Sequence, residues 1–217
     1  GRPLPYFRLA AARAAVEGGR PEDTIKWLAH LPDGDAAANL LRGRAEVALG
    51  QFDQARLRFG RVEKSGNAVL RAEARLSQIE AAVSSGQIQP PEALKRLDKL
   101  RYSWRGDHIE ERALQLSYRL NSDKGDVSDA LSAGATLLRF FDVSRQGPNF
   151  LPDLQAKLHE ALDPARKIPL DKAAGLYWEY RDLSPSGAEG DLLVSRLAQR
   201  LQEAAMYSRA ADLLEYQ

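Results

Sequence analysis

LRGRAEVALGQFDQARLRFGRV, residues 41–62, reads as one helical hairpin. Two amphipathic runs meet at Gly50-Gln51. Gly43 and Ala55 supply small packing positions on the runs, and Phe52, Phe59 and Val62 supply large ones. Apolar residues three and four apart on each side of a glycine are the pattern of helices that bury one face, with the glycine as the turn.

The same register recurs on both sides of this stretch. Counting back ten, six and three residues from Gly50 gives Leu40, Arg44 and Val47; from Gly19 it gives Leu9, Arg13 and Val16, and from Gly86 it gives Leu76, Glu80 and Val83. Counting forward, Leu28 and Leu31 answer to Phe59 and Val62, and Leu97 and Leu100 follow after a two-residue slip at Pro90-Pro91. Pro3 and Pro5 open a first helix from Arg2 to Gly18, and Pro21 opens a second that closes before Pro32. A fourth hairpin runs from Asp107 to about Asn121 and from Asp126 to Phe141, turning at Lys124-Gly125. Asp107 and Glu110 make a capping box at its start. Residues 1–141 are thus about four hairpins. Over 142–186 the period blurs: Gly147-Pro148, Pro152, Pro164 and Pro169 leave one helix near Asn149–Leu162 and another near Leu170–Asp182. In 187–217, Val194, Leu197, Ala198, Leu201, Tyr207, Ala210 and Leu214 predict a final hairpin, with Ala205 where the turn glycine stands elsewhere.

Gly19, Gly50 and Gly86 are spaced by 31 and 36 residues, which brackets the period of about 34 of tetratricopeptide repeats. With Gly43, Gly50, Phe52, Ala55, Phe59 and Val62 at the repeat's packing positions, the chain resembles that family. The resemblance implies an all-α fold of antiparallel helix-turn-helix repeats stacked as a right-handed α-solenoid. It also implies that the first helices line a concave peptide groove, placing Leu9, Arg13, Val16, Leu40, Arg44, Val47, Leu76, Glu80 and Val83 there. Such a stripe of Leu and Val flanked by Arg13, Arg44 and Glu80 suits an extended or helical peptide with apolar anchors and some acidic character. The alternative is that these leucines and valines fill the core between helices. Members that bind chaperones grip a terminal carboxylate with Lys and Asn in this groove, a pattern from which Leu40 and Arg44 depart.

A narrower resemblance covers LRYSWRGDHIEE (100–111) and the stretch from Gly175 to Gln217, which are similar to large, uncharacterised bacterial repeat proteins, often with an exported amino-terminal part. It implies a bacterial origin and puts the periplasm ahead of the cytoplasm. The amphipathic run from Ala211 to Gln217 carries no capping glycine or proline, which predicts that the repeats continue in a longer protein.

Composition agrees with helix-on-helix packing: 44% hydrophobic but only 7% aromatic residues favour small contacts between helices. Thirty-one basic and thirty acidic residues leave a net charge of +1, so no overall electrostatic attraction to nucleic acid is expected. No apolar run approaches the roughly 20 residues of a membrane span. The absence of cysteine rules out disulfides, thiolate metal sites and cysteine nucleophiles.

No residue set reads as catalytic. His30, His108 and His159 are scattered and no His-Glu-x-x-His occurs, so neither a metal nor a cofactor is expected. Ser84, Ser85, Ser184 and Ser186 read as turn residues with no activating His or Lys. Gly187 and Gly190 lack a P-loop lysine and a preceding strand. Glu110 and Glu111 are adjacent on a helix and point about 100° apart. Arg105-Gly106-Asp107 spells an adhesion tripeptide, but Asp107 is accounted for by capping, and Trp104 by packing a joint between hairpins with Arg105 pairing to a nearby carboxylate. The expectation is a non-catalytic protein- or peptide-binding or scaffolding segment. The alternative is a self-assembly module that forms a homo-oligomer through the end near Tyr207–Gln217.

Overall fold

A computed structural model describes residues 4–166 and 168–215. The expected helix start at Arg2 and Pro3, and the expected hairpin end at Tyr216 and Gln217, lie outside the described residues. Among those described, all regular structure is helical: eleven α-helices, three short 3-10 turns and no strand. No described helix is long and apolar enough to cross a membrane. The chain divides into two compact units, Gly1–Leu116 and Ser117–Gln217.

The first unit contains α1 (Pro5–Glu17), α2 (Pro21–Leu28), α3 (Ala36–Ala48), α4 (Phe52–Ser65), α5 (Ala68–Ser84), α6 (Pro90–Ser103) and the beginning of α7 (His108–Lys124). Successive helices pack as pairs, α1 on α2, α3 on α4 and α5 on α6. The first helices α1, α3 and α5 also touch in sequence. The three turns are built alike. Gly19, Gly50 and Gly86 have φ of 75°, 77° and 75°, a left-handed conformation that only glycine adopts without a Cβ penalty. Each glycine N–H donates to the carbonyl three residues back, at 3.2, 3.0 and 3.1 Å. The next N–H (Arg20, Gln51, Gln87) donates five residues back, to Ala15, Glu46 and Ala82, each at 2.8 Å. This Schellman closure satisfies the last carbonyls of one helix and redirects the chain into the next. Helix starts are capped where the sequence supplies the side chain: Asp35 accepts from the Ala38 N–H at 2.8 Å and Asn67 from the Leu70 N–H at 2.9 Å.

Phe59 is the centre of the α3/α4 packing. It is fully buried with Leu40, Ala55, Val62 and Ala74, and Val47 and Leu70 pack against the cluster. Gly43 is needed there, because a Cβ at that position would lie 2.5 Å from the Phe59 ring. A second cluster joins Ala12, Leu28, Ala38 and Leu41, flanked by Leu9, Val16, Trp27 and Leu31. Arg42 ties these hairpins together by donating to the carbonyls of Leu28 and Leu31 at 2.8 and 2.9 Å, at the carboxyl end of α2 where a cation is favoured.

Asp107 caps α7, accepting from the N–H groups of Ile109 and Glu110 at 3.0 and 3.2 Å. The Glu110 carboxylate reaches back to the Gly106 N–H, one residue beyond the donor expected for a capping box.

The second unit holds the rest of α7, α8 (Val127–Phe140), α9 (Phe150–Ala161), α10 (Leu170–Tyr180) and α11 (Ala188–Glu215), with 3-10 turns at Val143–Gln146, Pro164–Arg166 and Arg181–Leu183. The turn after α7 matches expectation, with Gly125 at φ 81° and Asp126 capping α8 by accepting from the Asp129 N–H. At Gly134 a Cβ would lie 2.5 Å from Leu154 Cδ1, so α8 and α9 meet closely. The helix expected near Asn149–Leu162 is α9, with Pro152 in its first turn, where its missing N–H leaves no bond unmade.

The clearest departure is at the end. In place of a hairpin turning at Ala205, one helix of 28 residues runs from Ala188 to Glu215. Alanine is the strongest helix former and pays the left-handed penalty that glycine avoids, so nothing at position 205 stops the helix.

Candidate functional site

The first helices of the first unit carry the residues expected to line a groove, and these fall into two groups. Leu40 and Leu76 are 0% exposed. They belong to the core and cannot meet a ligand; the periodicity that placed them on the inner side of their helices is satisfied by contacts between helices. Leu9 and Val16 are partly buried against the Ala12/Leu28 cluster, Val47 against the Phe59 cluster, and Val83 is half-buried.

The charged members are paired across helices. Arg13 of α1 makes two hydrogen bonds to the Glu73 carboxylate of α5, at 3.1 and 3.3 Å, and His108 Nε2 of α7 lies 2.5 Å from the same carboxylate. Glu73 is buried. Burial raises its pKa, and the hydrogen bonds and charge of Arg13, then those of His108, outweigh that, holding the carboxyl below its ordinary value. Glu80 of α5 accepts from Arg112 of α7 at 3.1 Å. Arg44 of α3 has Glu17 of α1 at 3.6 Å, longer than a hydrogen bond, and its buried Nη1 has no hydrogen-bond partner among the described residues. Burial and then the positive charge of Arg112 lower the Arg44 pKa to about 10, with Glu80 and Glu17 acting against them. The resulting network spans α1, α3, α5 and α7. Within the chain, Arg13 thus has Glu73 as its hydrogen-bonded partner and Arg44 has Glu17 as an ion-pair partner.

Sequence reasoning missed Glu17, Glu73, His108 and Arg112. The only signal for them was opposite charge on the polar positions of successive first helices, with 60 residues between Arg13 and Glu73.

One part of this face is open. A cleft of about 410 Å³ lies between α1, α5 and α7, with Val69 and Leu70 as its apolar side and Arg13, Glu17, Glu73 and His108 as its polar side. Val69 is 39% exposed. The arrangement can take an apolar side chain against Val69 and Leu70 while backbone polar groups of the same ligand meet a border of both charges.

Among the described residues no group of three or more His, Asp or Glu is placed to hold a metal ion. His159 is exposed on α9, and the Arg105 guanidinium lies 5.8 Å from the ring centroid of the exposed Tyr102 instead of forming the ion pair expected for it. In the second unit, Tyr118 donates to Asp153, which also accepts from Lys157 at 2.7 Å. Burial, then that hydrogen bond, raise the Tyr118 pKa. These groups make a structural tie between α7 and α9. Comparison with protein-family models, with curated proteins and with solved structures finds no match.

Proposed function

We propose that the chain is a non-catalytic protein- or peptide-binding segment of a larger bacterial protein, built from tetratricopeptide-like hairpins stacked as a right-handed solenoid. The observation that carries this reading is the open cleft at Val69 and Leu70, on the face formed by the first helices of three hairpins whose turns are closed by the same bonds. Repeat arrays of this kind present such a face to extended ligands. The ligand that fits is a peptide with one apolar anchor, held by Val69 and Leu70, and with no strong net charge, since the cations beside the cleft are already paired.

Selection of a displayed random-peptide library on the 217-residue chain tests this. Enriched peptides should share an apolar residue and should lose binding at least tenfold to the Val69→Arg variant, whose helical circular dichroism stays unchanged because Val69 is exposed in the first turn of α5. Peptides that bind the variant as well as the parent would refute the cleft, and a library that yields no binder would refute the function.

A further inference from the structure

The second unit has a cleft of its own, of about 430 Å³, lined by the α7/α8 turn, the start of α8, the end of α9 and the start of α10. We propose that it binds a small amphipathic carboxylate, an acid group on a hydrocarbon body. The inference is independent of the first unit and of any peptide ligand.

One side of the cleft is apolar. Val127, Ile168 and Leu176 form it; Leu176 is buried, and Val127 and Ile168 are half-buried. Arg200 of α11 holds this wall in place by donating to the carbonyls of Leu162 and Ile168 at 3.5 and 3.1 Å. The connection between α9 and α10 is thereby tied down at both ends. An apolar wall facing a few polar groups, in a volume of this size, is the usual form of a site for a small organic ligand.

The other side is cationic. Lys124 at the end of α7, Arg166 of the 3-10 turn and Lys172 in the first turn of α10 stand there, brought together in part by Gly125, which reverses the chain after Lys124 at φ 81°. These cations are not equivalent. Arg166 pairs with Glu160, whereas the ammonium groups of Lys124 and Lys172 have no ion-pair partner among the described residues. Ser128, the second residue of α8, adds a hydroxyl. No side chain caps α10, so its first amides add partial positive charge beside Lys172.

This distribution selects the ligand. Asp126 also borders the cleft, where its carboxylate caps α8 by accepting from the Asp129 N–H at 3.1 Å. With Arg166 offset by Glu160, two free ammonium groups against Asp126 leave a single positive charge in excess. A carboxylate matches that excess; a phosphate dianion exceeds it and is repelled by Asp126. Exposed lysines alone attract an anion weakly and are screened by salt. Covering Val127, Ile168 and Leu176 supplies the remaining attraction, and for that the acid must carry a hydrocarbon body.

Isothermal titration calorimetry of octanoate into the full 217-residue chain tests this. One octanoate per chain is expected, with affinity that falls as salt is raised. Octanol, which lacks the charge, and acetate, which lacks the hydrocarbon, should each bind more weakly by about tenfold or more. Combining Lys124→Gln with Lys172→Gln should weaken octanoate by about tenfold or more with unchanged helical circular dichroism, since both lysines are exposed. Lys99→Gln, at an exposed lysine of α6, should leave the affinity unchanged. Amide shifts caused by octanoate should centre on Val127, Ser128, Ile168 and Lys172. The proposal is overturned by an absence of octanoate binding at millimolar concentration, by binding undiminished in the double variant, by octanol or acetate binding as tightly as octanoate, or by shifts confined to other residues. Tighter binding of octyl phosphate than of octanoate would overturn the choice of a carboxylate.

Discussion

The two units solve the same problem with different turns. In the first, every hairpin is closed by a glycine in the left-handed region, and the helices it joins bury Phe59, Leu28 or Leu97 completely. In the second, glycine closes the α7/α8 turn at Gly125, but one 3-10 turn stands in each connection from α8 through α9 and α10 to α11, and Ala205 lets α11 run on as one helix. Both units need a glycine where helices touch most closely, Gly43 beneath Phe59 and Gly134 beneath Leu154. Helix packing is thus common to both, and the difference lies in how the chain reverses direction. Glycine turns accompany the regular hairpins of the first unit, and at Ala205, where no glycine stands, the helix continues.

The strongest way to break the comparison is at Phe59. Phe59→Ala empties the centre of the α3/α4 packing and should cost about 3–5 kcal/mol, read as a lower denaturation midpoint. Leu201→Ala, at a position 44% exposed, should cost under about 0.5 kcal/mol. Gly43→Ala comes next. Its Cβ would meet three ring atoms of Phe59 within 2.9 Å, and a rigid ring yields less than the flexible end of Leu154, so the loss should be about 1–3 kcal/mol and should exceed that of Gly134→Ala.

Ion pairs sharpen the contrast further. Glu73 is 1% exposed and shared by Arg13 and His108, whereas Arg139 and Asp182 of the second unit are 34 and 52% exposed at 2.7 Å. Glu73→Gln should cost about 1–3 kcal/mol at neutral pH. Because the folded pKa of Glu73 is lowered, its contribution is complete above the ordinary glutamate value of about 4.3 and is lost as pH falls through the lower folded value. Thermal melts across the acid range should therefore show a shallower pH dependence in the variant than in the parent. Arg139→Ala should cost the least, about 0–1 kcal/mol, and its effect should shrink in high salt.

Much of the first unit was legible in its residues. Gly19, Gly50 and Gly86 mark the turns because no other residue takes their φ cheaply, and Ala55, Phe59 and Val62 mark the core because apolar spacing of three and four defines a buried face. The nine candidate groove residues were less legible. A first helix packs against its own partner and against the first helices beside it, so the spacing that selects Leu40 and Leu76 does not separate core from surface. Pairing of Arg13 with Glu73 could not be read at all, since helices far apart in sequence set it. Ala205 was visible as an exception, yet the packing residues around it outweighed it in the expectation of a hairpin; local turn chemistry prevailed in the structure.

Hydrogen exchange of the chain with and without a peptide selected on it tests the central claim most directly. Slowed exchange confined to the first turns of α5 and α7 and the last turn of α1, around Leu70, Glu73, His108 and Glu17, is the predicted result. Protection confined to other helices, with these amides unchanged, would contradict the assignment of the first-helix face as the binding surface.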